Sequence, residues 1–402
     1  MENSRATAPP PTRVAAVKLF GKTYTRIVEP ARRLFEMDLR YAVSGNFAPV
    51  DRGTGEMMGA YPEPQGVLTP LTDAAVFLVV TVRPGGEQTV AGLIPDLTSL
   101  LRAVGFRLPE GHLSLVTGFG SAVWGRLFSG ARPAELHEFV ELRGTRHHAP
   151  ATLGDLLFHI RADRMDLCFE LAAQIMDRLD GMVDVCDEVH GFRYFDRRDL
   201  FGFVDGTENP PGRAAIEAAI ITDADPAFAG GSYAIVQKYV HDLDAWNALT
   251  TEAQSLVIGR HKLSNVELPD DRKPADSHVA LNTVVRPDGM QQQIVRDNMP
   301  FGKAGSGEFG TYFIGYCHTP STTEEMLRNM FLGQGAVRHD RILDFSTAVT
   351  GCLFYVPPID FLDDPPPLPD METATAPEPQ VTDHRAEGDN GTLRIGDLKG
   401  VR

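Results

Sequence analysis

Cysteine is scarce in this sequence. Cys168, Cys186, Cys317 and Cys352 stand far apart, with no Cys-x-x-Cys and no Cys-x-x-Cys-His among them. That spacing speaks against zinc sites, iron–sulfur clusters and a covalently attached c-type haem, and predicts reduced core thiols in a cytoplasmic protein. Positive charge is short as well: 38 Lys and Arg face 54 Asp and Glu, for a net charge of −16. A nucleic-acid binder needs a basic footprint for the phosphates, and an anionic membrane surface repels such a chain, so neither partner is expected. Long apolar runs are missing too. No stretch approaches eighteen apolar residues, and Arg32-Arg33 leads into Leu-Phe-Glu-Met-Asp and not into an apolar export core. What the chain does have is bulk. Its 402 residues, 43% of them apolar, suffice for two core-forming units plus tails and for enclosing a cofactor.

The pattern along the chain is uneven. Residues 1–63 open with a Pro/Ala-rich stretch (Ala8 to Pro11), and an amphipathic pattern from Tyr24 to Tyr41 permits a helix. Met57 and Met58 offer an alternative translation start. From Leu68 the periodicity becomes regular. Strands are predicted at Ala74 to Val82, His112 to Gly118, Leu156 to Ile160 and Val183 to Cys186, with helices at Leu97 to Phe106 and Asp163 to Leu179. That order is β-α-β-β-α-β. A second round follows, with strands at Tyr233 to Val240, Val279 to Val285, Thr311 to Tyr316 and Cys352 to Val356, and helices at Asp242 to Ile258 and Thr322 to Phe331. The expected fold is α+β, built from two ferredoxin-like halves over residues 64–210 and 211–360. Residues 361–402 begin Phe-Leu-Asp-Asp-Pro-Pro-Pro-Leu-Pro and run on through polar sequence that lacks the apolar content to pack. The final Gly391-Thr-Leu-Arg-Ile-Gly-Asp-Leu-Lys-Gly400 turns apolar again, which a pure tether does not require.

Three stretches carry candidate chemistry. In Gly202-Phe-Val-Asp205-Gly206-Thr-Glu208-Asn-Pro210 two glycines flank an acid, and their backbone freedom can hold Asp205 on a tight loop against a ligand. Taken alone, an Asp-Gly pair is an ordinary turn or helix cap. Lys273-Pro-Ala-Asp-Ser-His278-Val-Ala-Leu-Asn282 adds a histidine at the head of an apolar segment. Ile294-Val-Arg296-Asp-Asn298-Met-Pro-Phe-Gly302 adds an arginine and an amide on a Pro/Gly-bounded loop.

Asp, then His, then Arg-x-Asn in this order resembles the dye-decolorizing peroxidases of the bacterial class called B or P. The resemblance runs from about Pro64 to about Pro358 and includes Gln237-Lys-Tyr239, Asp242-Leu-Asp-Ala-Trp246, Gly307-Glu-Phe-Gly-Thr-Tyr-Phe313 and Asp340-Arg-Ile-Leu-Asp-Phe345. It implies the same two ferredoxin-like halves, arranged in a dimeric, barrel-like α+β fold, and one non-covalent haem b per subunit in a homo-oligomer. The implied activity is oxidation of dyes, phenolics or other electron donors by hydrogen peroxide. A porphyrin-handling protein with little turnover is the alternative, and it would leave Asp205 and Arg296 without a task.

Carried over residue by residue, the resemblance makes His278 the axial ligand of the haem iron. Asp340, or else Asp344, would hydrogen-bond its second nitrogen. Asp205 would move the peroxide proton, Arg296 would stabilise negative charge and Asn298 would orient the peroxide or a distal water. Arg260 would meet a haem propionate, and Phe313 would form an apolar wall. Glu208 and Glu267 fall where some relatives place acids around a proposed manganese site, but the third position is Gln291, which argues against efficient manganese use. Trp124 and Trp246 are the redox-capable tryptophans, and both are equally consistent with packing. The segment Gly391–Gly400 resembles the loading peptides that direct cargo into encapsulin shells, which would place the enzyme inside a cytoplasmic nanocompartment.

Overall fold

In the computed structural model the described residues are 61–370, together with the backbone of an N-terminal hairpin pairing Ala15–Leu19 with Lys22–Arg26. The helix anticipated from Tyr24 is not formed at Tyr24–Arg26, which is strand. Its remainder, Met57 and Met58, and the tail segment 391–400 lie outside the described residues.

The first half comprises strand β1 (Ala74–Val82), helix α1 (Leu97–Gly105), β2 (Ser114–Gly120), β3 (Leu156–Ala162), helix α2 (Met165–Arg178) and β4 (Val183–Phe192). All four strands pair antiparallel, in the spatial order β2-β3-β1-β4. Strand β1, Ala-Ala-Val-Phe-Leu-Val-Val-Thr-Val, is apolar almost throughout because both its faces are covered. Val76, Leu78 and Val80 face the helices, and Ala75, Phe77 and Val79 face a second core inside the curve of the sheet.

The second half repeats the plan with β5 (Ser232–His241), helices α3 (Leu243–Asn247), α4 (Thr251–Ile258) and α5 (His278–Asn282), then β6 (Val295–Arg296), β7 (Met299–Lys303), β8 (Glu308–Cys317), helix α6 (Pro320–Leu332), β9 (Ser346–Ala348) and β10 (Cys352–Val356). Its main order, β6/β7-β8-β5-β10, matches that of the first half. The halves join where β10 pairs β2, through Phe354 with Gly120 and Tyr355 with Phe119. The result is one ten-stranded antiparallel sheet. It curls without closing: its edges β4 and β7 meet only by packing, with Gly191 so close to Met299 that a Cβ would stand 2.4 Å from the methionine Cβ. The barrel-like arrangement therefore has no hydrogen-bonded seam among the described residues.

Three expectations need correction. The strand anticipated at Val279 to Val285 is instead helix α5, with a two-residue strand at Val284–Val285. So short a segment, His-Val-Ala-Leu-Asn, does not reveal its period, and in the helix Leu281 is the buried residue. The missing second strand of this half is β6/β7, whose pairs with β8 keep a single register across Asp297-Asn298. The single helix expected from Asp242 to Ile258 is two helices, because Asp242 caps one (its side chain accepts from Ala245 N at 2.9 Å) and Thr250 caps the next (from Ala253 N at 3.2 Å). Finally, Cys168, Cys317 and Cys352 are buried thiols, but Cys186 is exposed on β4, an edge strand.

Candidate active site

Strand alternation builds one wall of the site. Along β6/β7, Asp297, Met299 and Phe301 turn into the curve of the sheet and are buried there. Arg296 and Asn298 therefore turn the other way, into a cavity of about 1330 Å³ of empty space that includes its open mouth. Arg161, on the inward face of β3, makes a buried ion pair with Asp297 and also donates to Gly66 O and Thr69 Oγ1. The pair anchors the strand from behind, so the two residues beside Asp297 are presented forward.

The loop carrying Asp205 lies against this strand. Gly202 and Gly206 both have φ in the left-handed region, +88° and +72°, and a Cβ on Gly202 would stand 2.6 Å from Lys262 Cε. Behind the loop Phe201, Phe203, Trp246, Val257 and Ile258 form a small separate core. Asp205 Oδ1 accepts from Gly206 N at 2.7 Å and from Asn298 Nδ2 at 3.2 Å, while Asn298 Oδ1 accepts from Ile314 N at 3.1 Å. Burial pushes the Asp205 carboxyl upward, and these donors with the nearby charge of Arg296 hold it back. Burial likewise lowers the Arg296 guanidinium, against the pull of Asp205 and Glu208. Its side chain makes no ion pair, and its Nη2 meets only Met326 Sδ at 3.6 Å. A half-buried guanidinium with no ion-pair partner among the described residues is available to a ligand.

His278 reaches the same cavity from helix α5. Its Nδ1 lies 2.7 Å from Asp340 Oδ2, and Asp340 is fully buried. Asn282, one turn on, donates to His278 O at 2.8 Å. Of the two acids considered from sequence, Asp340 thus meets His278, whereas Asp344 faces His147, His339 and Arg146. With Nδ1 engaged, Nε2 has no hydrogen-bond partner among the described residues and is left as a lone-pair donor. Apolar side chains finish the enclosure: Phe313 from β8, Ile258 from α4, and Met326, Leu327 and Met330 on one face of α6.

At the rim Arg260 pairs with Glu208 and, at 3.5 Å, with Glu267, and it donates to Asn265 O at 2.9 Å. Lys273 also bonds Glu267. Gln291 lines the cavity. The acids singled out for manganese are therefore already neutralised by two cations. Both tryptophans are buried: Trp124 Nε1 donates to Ala131 O at 3.1 Å and Trp246 Nε1 to Phe201 O at 3.0 Å.

Three contributors escaped the sequence reading. Asn209 grips the Arg296 backbone at both ends, with Nδ2 donating to Arg296 O at 2.7 Å and Oδ1 accepting from Arg296 N at 2.8 Å. It lies inside the glycine motif, yet nothing local says which strand it holds. The Arg161–Asp297 anchor had a faint signal, a lone arginine in the apolar run Leu-Leu-Phe-His-Ile-Arg-Ala. Asp199 also lines the cavity, and burial, reinforced by Asp205, lifts its carboxyl to about 7. Its Oδ1 accepts from Phe203 N at 2.9 Å.

A two-lobed ferredoxin-like sheet, with an imidazole backed by a carboxylate and an acid–arginine–amide group in one cavity, defines an enzyme of the α+β peroxidase class. The chain belongs to the Dyp-type peroxidase family: the model for the N-terminal part of that family matches residues 64–193, and the model for the C-terminal part matches 196–361. A dye-decolorizing peroxidase of Mycolicibacterium paratuberculosis is 60% identical over 339 residues, covering 84% of this chain and 93% of the relative. One from Mycobacterium tuberculosis is 58% identical, covering 84% and 97%. Among solved structures, the encapsulated DyP-type peroxidase of Mycobacterium smegmatis matches with a TM-score of 0.76 at 61% identity, over 77% of this chain and all of that one. A DypB variant from Rhodococcus jostii, solved in complex with haem, matches with a TM-score of 0.73 at 55% identity, over 76% and 99%. The expected peroxidase class and ferredoxin-like fold are borne out. No helix among the described residues is long and apolar enough to cross a membrane.

Proposed function

We propose that the chain is a haem b peroxidase in which His278 holds the iron and Asp205, Arg296 and Asn298 act on hydrogen peroxide. The observation that carries this reading is His278 itself, with Nδ1 held by buried Asp340 at 2.7 Å and Nε2 left free in the cavity that Asp205 and Arg296 line. The donor set fits the cofactor: one neutral imidazole nitrogen for iron, an apolar enclosure for the macrocycle and the Arg260 cation for a propionate. The Rhodococcus jostii relative solved with haem supports the same assignment. Bound there, haem supplies the redox chemistry that couples peroxide reduction to one-electron oxidation of a donor.

The chain's own residues do the rest. Asp340 fixes the proton on His278 Nδ1 and, as a carboxylate, makes the opposite nitrogen a stronger donor. Asp205 takes the proton from the inner oxygen of peroxide and returns it to the outer, departing oxygen. Arg296, which stays protonated, stabilises the negative charge that develops on both oxygens. Asn298 keeps Asp205 turned toward them through its 3.2 Å bond. Arg260, paired with Glu208 at the rim, would be the cation that meets a haem propionate.

Purified protein should show a Soret band and oxidise a simple dye only when peroxide is added. His278→Ala should lose most of its haem, and a variant retaining a normal band and full activity would refute the ligand assignment. Packaging within an encapsulin shell through Gly391–Gly400 completes the proposal, supported by the encapsulated Mycobacterium smegmatis relative. A homo-oligomer would engage several shell sites at once, so weak individual contacts would suffice.

A further inference from the structure

Outside the cavity, His147, His339 and Asp344 place an imidazole, a second imidazole and a carboxylate so that their ligand atoms all lie within 4.8 Å of one another. His147 Nε2 is 3.3 Å and His339 Nε2 3.2 Å from the same oxygen, Asp344 Oδ1. Donors held at ~2.0–2.1 Å by one tetrahedral ion stand roughly 3.3–3.4 Å apart, so both separations match edges of such a tetrahedron. The two imidazoles are largely enclosed, at 17% and 14% side-chain exposure, while Asp344 stands at the exposed edge of the group. His339 Nδ1 is buried without a hydrogen-bond partner among the described residues. Arg146 Nη1 also touches Asp344 Oδ1 at 3.3 Å, but its side chain is 64% exposed and free to swing into solvent.

We propose that His147, His339 and Asp344 form a three-ligand site for a borderline divalent metal such as Zn²⁺, with water completing the tetrahedron. The position gives the site a purpose. His147 belongs to the turn joining the short paired strands Leu142–Arg143 and His148–Ala149, whereas His339 and Asp344 bracket the turn that carries Asp340. An ion here ties two segments almost 200 residues apart (197 between His147 and Asp344) and braces the turn that holds the His278 partner. It is a staple between the halves, outside the cavity that His278 lines.

The test uses the full-length holoenzyme, dialysed against Zn²⁺ and then against metal-free buffer, with zinc quantified by mass spectrometry. About one Zn²⁺ per subunit should remain, His147→Ala should retain at least tenfold less, and its Soret band should be unchanged. Zinc should raise the thermal midpoint of the wild type and leave that of His147→Ala where it was. X-ray absorption at the zinc edge should show scattering from two imidazoles, a readout that needs no variant to fold. Equal zinc in wild type and variant, or a zinc shell without histidine, overturns the proposal.

Discussion

Each reactive group in the cavity is set by its immediate neighbours. Arg296 forms no ion pair among the described residues, which in the proposed role leaves its charge to the peroxide oxygens. Arg296→Leu should keep haem yet slow the first peroxide-dependent spectral change by roughly two to three powers of ten, the range for charge-stabilising groups. An unchanged stopped-flow rate would remove Arg296 from the mechanism. Asp205 must be ionised to accept a proton, so activity should rise with pH through a value above the usual carboxylate range. Asn298 donates to the ionised form and so lowers that value. Asn298→Ala should therefore shift the acid limb of the rate profile to higher pH. A limb that stays in place, or moves down, would contradict the assigned hydrogen bond.

At the scale of elements, the site is a strand and a loop locked together. The β6/β7 strand is fixed from inside by Arg161–Asp297 and from outside by Asn209, which bonds both ends of the Arg296 peptide unit. Asn209→Ala removes both outer bonds without touching the reacting groups. Small misplacements of reactive groups are costly in rate, so this variant should react with peroxide about tenfold or more slowly while its Soret band stays normal. Wild-type kinetics in the variant would show that the inner anchor alone positions Arg296. Helix α5 works in the same way, because its one-turn spacing places Asn282 beside His278 while Asp340 arrives from the turn after α6.

The whole molecule balances opposing buried titrations. Burial depresses His241 to about 3, and its ring is neutral between Ser346 Oγ and Thr311 Oγ1. Unfolding restores an ordinary imidazole near 6.5, so the stability His241 contributes is present above that value and is lost as pH falls toward 3. Asp199, lifted to about 7, acts oppositely: its contribution is present at low pH and lost as pH rises from about 4 to about 7. His241→Gln should therefore gain about 2 kcal/mol on wild type when denaturant unfolding is moved from pH 7 to pH 5. No relative gain would mean that the imidazole is not held neutral. At the chain's far end, deleting residues 391–402 should leave dye oxidation intact and abolish co-purification with a co-expressed encapsulin shell. Equal packaging of the shortened enzyme would sink the loading assignment.

The strands β1, β3, β5, β8 and β10 and the long helices α2 and α6 were legible in sequence, because each is long enough for its hydrophobic period to show and is buried on faces that the period marks. Asp205, His278, Arg296 and Asn298 were legible as ordered motifs, and the structure brings all four to one cavity. Helix α5 and the β6/β7 strand were not. Helix α5 read as a strand, and β6/β7 went unseen, since so short a segment takes its conformation from what it packs against. The choice of Asp340 over Asp344, the grip of Asn209 on Arg296 and the pairing of Arg161 with Asp297 were decided only by tertiary structure. Those partners lie 62, 87 and 136 residues apart, distances at which local periodicity carries no information about who meets whom. Chain order could name the polar groups of the cavity, whereas their orientation and charge state come from burial and from partners that only the folded sheet supplies.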